Sequence, residues 1–166
     1  MNINQIMKSC LYLTLAAILC ISIIGCQSSP VPLSEEDMAT HHAISQEFLD
    51  RVHEGDWVGL SRMYTEDAVV MQPNQPALVG RAAIHDFWAA MPPIKELRFA
   101  DDGIIGEGDF VYVYGRYWLV FDLPGAPSDE GKYLDVRVRQ PDGRWLYVAE
   151  MANSSLPQGR QVPDSP

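Results

Sequence analysis

Proton transfer on a small molecule needs a carboxylate or imidazole in apolar surroundings, with a hydroxyl or amide close by. Asp101 is the acidic side chain whose position fits. It stands in phase with Leu97 and Phe99, which turns it toward an interior cavity. Burial raises a carboxyl pKa and makes the group a usable base. Asp101-Asp102-Gly103 also fits a solvated bulge or turn, and a one-residue shift exchanges Asp102 for Asp101. Tyr64, Tyr117 and Tyr147 lie in apolar patterns. Each hydroxyl either donates to a developing oxyanion or is a satisfied core group. Asn153, at the end of the last apolar segment, either orients a ligand carbonyl or caps a strand. His41 reads as a proton shuttle or as a core histidine.

Trp57, Met71, Trp88, Phe99 and Met151 read as floor and lining of the same cavity, where core and binding surface are one. His42, His53 and His85 have no metal-ligand spacing and no His-Glu-x-x-His pattern occurs, so neither metal nor cofactor is expected.

These side chains need a sheet to hold them. Phe110 to Phe121 (FVYVYGRYWLVF) is apolar and aromatic with one charge, Arg116, which suits a strand covered on both faces. From Lys132 to Arg139, Leu134, Val136 and Val138 alternate with Asp135, Arg137 and Arg139. Gln140-Pro141-Asp142-Gly143 is turn chemistry, and Arg144 to Asn153 returns as the hairpin partner. Pairing Arg139 with Arg144 puts the valines, Trp145, Tyr147, Ala149, Met151 and Asn153 on the inner face. It leaves Asp135, Arg137, Arg139 and Glu150 outside, near Arg116 and Trp118. That outer set reads as a second polar site or as a salt-bridged face at a dimer interface, with Tyr112, Tyr114 and Trp118 as interface aromatics.

Ahead of that sheet, Ser34 caps a helix that runs to about Glu54, buries His41, Ile44, Phe48 and Val52, and ends at Gly55. Asp56 caps a shorter helix with the stripe Trp57, Leu60 and Tyr64. Ala68 to Met71 is a brief strand. Gly80 opens a third helix with Ile84, Phe87, Trp88 and Met91 on its apolar face, and Pro92-Pro93 stops it. Glu96 to Ile105 is the next strand. Helices followed by a run of long antiparallel strands is an α+β order, with three N-terminal helices on one face of a curved, mostly antiparallel sheet and a pocket at the open end.

The chain has 166 residues and a formal charge of −10, enough for one domain and unsuited to nucleic acid. Met1 to Lys8, the apolar run Ser9 to Ile24 and then Gly25-Cys26 resemble a bacterial lipoprotein signal. The other reading is an uncleaved anchor helix. The lipoprotein resemblance implies a signal peptide over 1–25 and a diacylglycerol on Cys26, with acylation of its amine, so that the chains anchor it stably. Gln27 after the Cys implies the outer membrane, facing the periplasm, in a Gram-negative cell. Residues 26–33 form the lipidated Cys and tether, 34–157 the domain, and 158–166 a disordered tail.

Gly55-Asp56-Trp57, Tyr64-Thr65-Glu66-Asp67-Ala68, Met71-Gln72-Pro73-Asn74, Gly80-Arg81-Ala82-Ala83-Ile84 and Asp142-Gly143-Arg144-Trp145 occur in that order. Together they resemble the nuclear transport factor 2-like superfamily, in its SnoaL-like branch with the domain of unknown function 4440. The resemblance implies a cone-shaped (cystatin-like) barrel, often a homodimer through the outer sheet face. The aromatic inner face with few convergent polar groups points first to a small apolar or aromatic ligand in the cone. The second reading, which has the resemblance behind it, is an isomerase, cyclase or dehydratase, with Asp101 as base, Tyr64 or Tyr117 donating to the oxyanion and Asn153 positioning the substrate. A protein-interaction module built on the aromatics around Trp118 is the third reading. Fold follows from such a resemblance more firmly than function does.

Overall fold

Ser34 opens the first helix with a reciprocal cap. Its hydroxyl accepts from the Asp37 amide at 3.1 Å, and the Asp37 carboxylate accepts from the Ser34 amide at 3.0 Å. Helix α1 (Glu35–Glu54) ends at Gly55, whose φ of 70° is the left-handed conformation that closes a helix without a Cβ clash. The computed structural model describes residues 33–126 and 128–157. The expected signal peptide, Cys26, the tether up to residue 32 and the tail 158–166 lie outside them.

Asp56 caps α2 (Trp57–Arg62) through the Gly59 amide at 2.8 Å. Tyr64, expected on this helix, instead begins β1 (Tyr64–Met71). A two-residue strand, β2 (Leu78–Val79), pairs with β1 and precedes α3 (Arg81–Ala89). Four long strands follow: β3 (Ile94–Glu107), β4 (Phe110–Phe121), β5 (Asp129–Arg139) and β6 (Trp145–Ser154). They form one curved, unclosed sheet in the order β2-β1-β6-β5-β4-β3, antiparallel except where β1 runs parallel to β6. The α+β architecture is the expected one.

The helices cover one face. Phe48 and Val52 of α1, Leu60 of α2 and Ile84 and Trp88 of α3 pack on Tyr64, Val70, Leu97 and Tyr147. A second group, around Val111, Val113, Tyr117, Tyr133 and Trp145, continues that core and shares Phe99 and Leu119 with the first. The other face is open. Strand β4 is not covered on both sides: Val111, Val113 and Tyr117 are buried, while Phe110 and Tyr114 are exposed.

The β5–β6 hairpin departs most from expectation. Arg139 stands opposite Trp145, not Arg144, because the turn closes between Gln140 and Arg144. This register puts Tyr133, Asp135 and Arg137 inside, and Leu134, Val136 and Val138 outside. A bulge then follows Tyr147, so that Ala149 faces Val136 and Glu150 faces Asp135. One extra residue reverses the side-chain phase. Tyr147 and Glu150 both point inward, three residues apart, and Ala149, Met151 and Asn153 point outward.

Candidate functional site

Strands β3 to β6, α1 and α3 enclose a pocket of about 580 Å³. Phe48, Phe87, Trp88, Phe99, Tyr117 and Tyr147 are among its walls. Its mouth is made of loop residues, Gln72 to Gln75 on one side and Ser128, Leu156 and Pro157 on the other. Such a site, apolar with a few convergent polar groups, suits a small molecule.

Three carboxylates face it. Asp135 and Glu150 are cross-strand partners. Asp135 receives a bidentate pair from Arg137, at 2.9 Å from Nε and 3.0 Å from Nη2. Arg137 is fully buried; its Nη1 donates to the His41 carbonyl at 2.7 Å and its Nη2 also donates to the Ser45 hydroxyl at 2.9 Å. Its guanidinium also stands 4.8 Å from the centre of the Tyr147 ring. An interior cation is tolerable only when it is paired and hydrogen-bonded, and here each guanidinium nitrogen has a partner. Burial pushes the Asp135 carboxyl up to about 6, against the pull of Arg137.

Glu150 has no cation. Its carboxylate accepts from the Tyr64 hydroxyl and, at 3.4 Å, from the Gln72 amide. Burial, opposed by the Tyr64 hydrogen bond and reinforced by Asp135, pushes it up to about 7. A carboxyl poised there takes up and releases protons near neutrality. The third carboxylate, Asp129, accepts from the Tyr117 hydroxyl at 2.7 Å and the Ser154 hydroxyl at 2.6 Å, at the mouth.

Behind the pocket wall runs a second line of hydrogen bonds. The Tyr133 hydroxyl donates to Asp101, whose other oxygen is 3.1 Å from Nδ1 of His42 and 3.4 Å from the Ser45 hydroxyl. The His42 side chain is 58% exposed and that of Asp101 8% exposed, so the line runs from solvent to the pocket lining. His41 is a core residue: both ring nitrogens are buried without partners, the ring meets Trp145 edge-on at 4.6 Å, and burial pulls its pKa down to about 4. Among the described residues no group of three or more His, Cys, Asp or Glu side chains has metal-holding geometry.

The structure therefore distributes the sequence candidates unevenly. Trp88, Phe99, Tyr117 and Tyr147 line the pocket, Tyr64 reaches it through Glu150, and Asp101 stands one residue behind it, beyond Tyr133. Trp57 stacks behind Trp88 at 6.5 Å. Asp102 faces outward and pairs with Arg116 at 2.9 Å. Met71, Met151 and Asn153 are corrections: all three are exposed on the outer face, because the β6 bulge reverses the phase and Met71 follows Met151, its partner in register. Glu150, expected outside, faces inward for the same reason, and Asp135 and Arg137, also expected outside, face inward because Arg139 pairs with Trp145. Tyr133 and Asp129 were not singled out; the alternation Tyr133, Asp135, Arg137 was the signal, read with its faces reversed.

Helices packed on one side of a curved open sheet, with acids and aromatic side chains lining the cavity between them, define the nuclear transport factor 2-like class. Within it, the SnoaL-like domain family matches residues 45–148, and the chain belongs to that family. No curated protein matches the sequence at a significant level. Among solved structures, a ketosteroid isomerase-like protein from Erwinia carotovora atroseptica SCRI1043 aligns with a TM-score of 0.65 at 17% identity, over 75% of this chain and 100% of its own. ActVI-ORFA from Streptomyces coelicolor gives 0.54 at 19%, over 71% and 96%. A putative scytalone dehydratase from Novosphingobium aromaticivorans DSM 12444 gives 0.60 at 14%, over 72% and 85%. Likeness at such identities shows the fold alone.

Proposed function

We propose that this domain holds a small apolar or aromatic molecule in the cone and moves a proton on it, as an isomerase, cyclase or dehydratase does. Glu150 is the proton acceptor and Tyr64 orients it; the Asp135–Arg137 pair keeps the adjoining wall polar. The observation that carries the reading is a carboxyl in an aromatic pocket, Glu150, that has no cation beside it among the described residues and whose pKa is pushed up to about 7. Asp101, the base expected from sequence, acts one step removed by holding Tyr133. The relatives named above as isomerase-like or as a dehydratase lend the reaction class its plausibility.

Nitrobenzisoxazole tests this without knowledge of the natural substrate. A base removes its ring C–H proton, the N–O bond breaks, and a coloured phenolate nitrile forms. Turnover is expected to rise with pH around a midpoint near 7, where Glu150 loses its proton, and to vanish in Glu150→Gln while the probe still binds. Equal turnover in both proteins removes Glu150 as base. Binding without turnover in the wild type leaves a ligand-binding protein.

The proposal extends to location and assembly. A lipid on Cys26 tethers the domain at the bacterial envelope, and two copies meet through the outer sheet face. Four residues in register, Tyr114, Leu134, Met151 and Met71, form a row across four strands and are 37–45% exposed, an apolar surface of the kind that marks interfaces.

A further inference from the structure

The hydrogen-bonding groups of the pocket are unequally matched. Glu150 and Asp129 form no ion pair among the described residues, whereas each nitrogen of the Arg137 guanidinium is engaged, by Asp135, His41 or Ser45. The hydroxyls of Tyr64 and Tyr117 point their hydrogens at the carboxylates and offer none to a ligand. The indole nitrogen of Trp88 lacks a partner but is covered by other protein atoms. Among the charged groups, what remains open is acceptor capacity: each carboxylate oxygen of Asp129 takes one hydrogen bond from the protein and has a lone pair to spare. The walls agree with that sign. Phe99, Trp88 and Tyr147 are among the lining, and aromatic rings attract cations at their faces. An anionic ligand would meet three carboxylates and no free cation, a desolvation loss with nothing to offset it.

We infer that the ligand is an organic cation, a flat apolar body bearing a protonated amine, with the amine held by Asp129 at the mouth and the body lying between the aromatic walls. This rests on the reading of the cone as a ligand site. Asp129 is chosen over Glu150 because it stands at the mouth, where the ammonium keeps part of its hydration, and two hydroxyls already fix its orientation. Ser154, which holds Asp129, and Glu150 are four residues apart on β6, roughly 13 Å along a strand. The body of the ligand thus spans the pocket between one charged end and one proton-accepting end.

Three probes of one shape separate the alternatives: naphthylmethylammonium, naphthylmethanol and naphthoate, measured by calorimetry at neutral pH. The ammonium is expected to bind at least about tenfold more tightly than the alcohol, the size of one charge-assisted hydrogen bond, and naphthoate not measurably. Asp129→Asn is expected to remove the advantage of the ammonium over the alcohol, while continued binding of the alcohol reports that the variant is folded. Glu35→Gln, on the exposed first turn of α1, controls for the general negative charge and is expected to keep the preference. Naphthoate binding as tightly as the ammonium, or an ammonium advantage that survives Asp129→Asn, overturns the inference. Failure of all three probes to bind overturns the ligand-site reading itself.

Discussion

Glu150 and Arg137 occupy the same interior and obey opposite rules. The carboxyl of Glu150 escapes the cost of burial by holding its proton. Its folded pKa of about 7 lies above the usual 4.5, so this group leaves the fold unpenalised below the unfolded value and destabilises it as pH rises through the folded one. The difference amounts to about 3 kcal/mol. Chemical denaturation across pH 4.5 to 7 is expected to show that loss, and Glu150→Gln to flatten it. Arg137 has no neutral form to retreat to. Arg137→Met leaves Asp135 buried and alone, with an expected loss of about 3–5 kcal/mol in urea unfolding. Adding Asp135→Leu is expected to restore most of it, which marks the pair as retained for the site and not for stability.

At the scale of elements, α1 is the part that joins surface to site. One turn of it carries the His41 carbonyl bonded to Arg137, His42 on Asp101, and Ser45 between the two. Its start depends on a local signal, the Ser34–Asp37 cap. Ser34→Ala is expected to cost about 1 kcal/mol, read as a lower urea midpoint with an unchanged slope. Signals of this local kind were legible in sequence: the caps of α1 and α2, the Pro92-Pro93 stop, and β4 from Phe110 to Phe121. The β6 bulge was not. A bulge costs one residue, changes no composition, and shows only as an alternation that stops making sense after Tyr147. The two-residue β2 was equally invisible, since a strand that short exists only because β1 is beside it.

At the scale of the molecule, the sheet has two faces with different tasks. The inner face is closed by helices and built around charge; the outer is open and apolar along Tyr114, Leu134 and Met151. If two copies meet there, Leu134→Lys is expected to convert a dimer to a monomer in sedimentation equilibrium without moving the thermal midpoint of the domain by more than about 2–4 °C. A wild-type chain that sediments as a monomer at micromolar concentration removes the assembly proposed above.

From residue types and spacing alone came the α+β order, the positions of the three helices and of the four long strands, and the aromatic identity of the cone wall at Trp88, Phe99 and Tyr147. Those follow from interactions within a few residues: caps, breakers and hydrophobic period. Only the tertiary structure decided that Asp135, Arg137 and Glu150 face inward and that Met71, Met151 and Asn153 do not. Hydrophobic alternation assigns the apolar side of a strand to the interior, and on β5 it misassigns it. There the inner face is held by an ion pair, a helix carbonyl and a serine from another element, partners that no reading along the strand can supply.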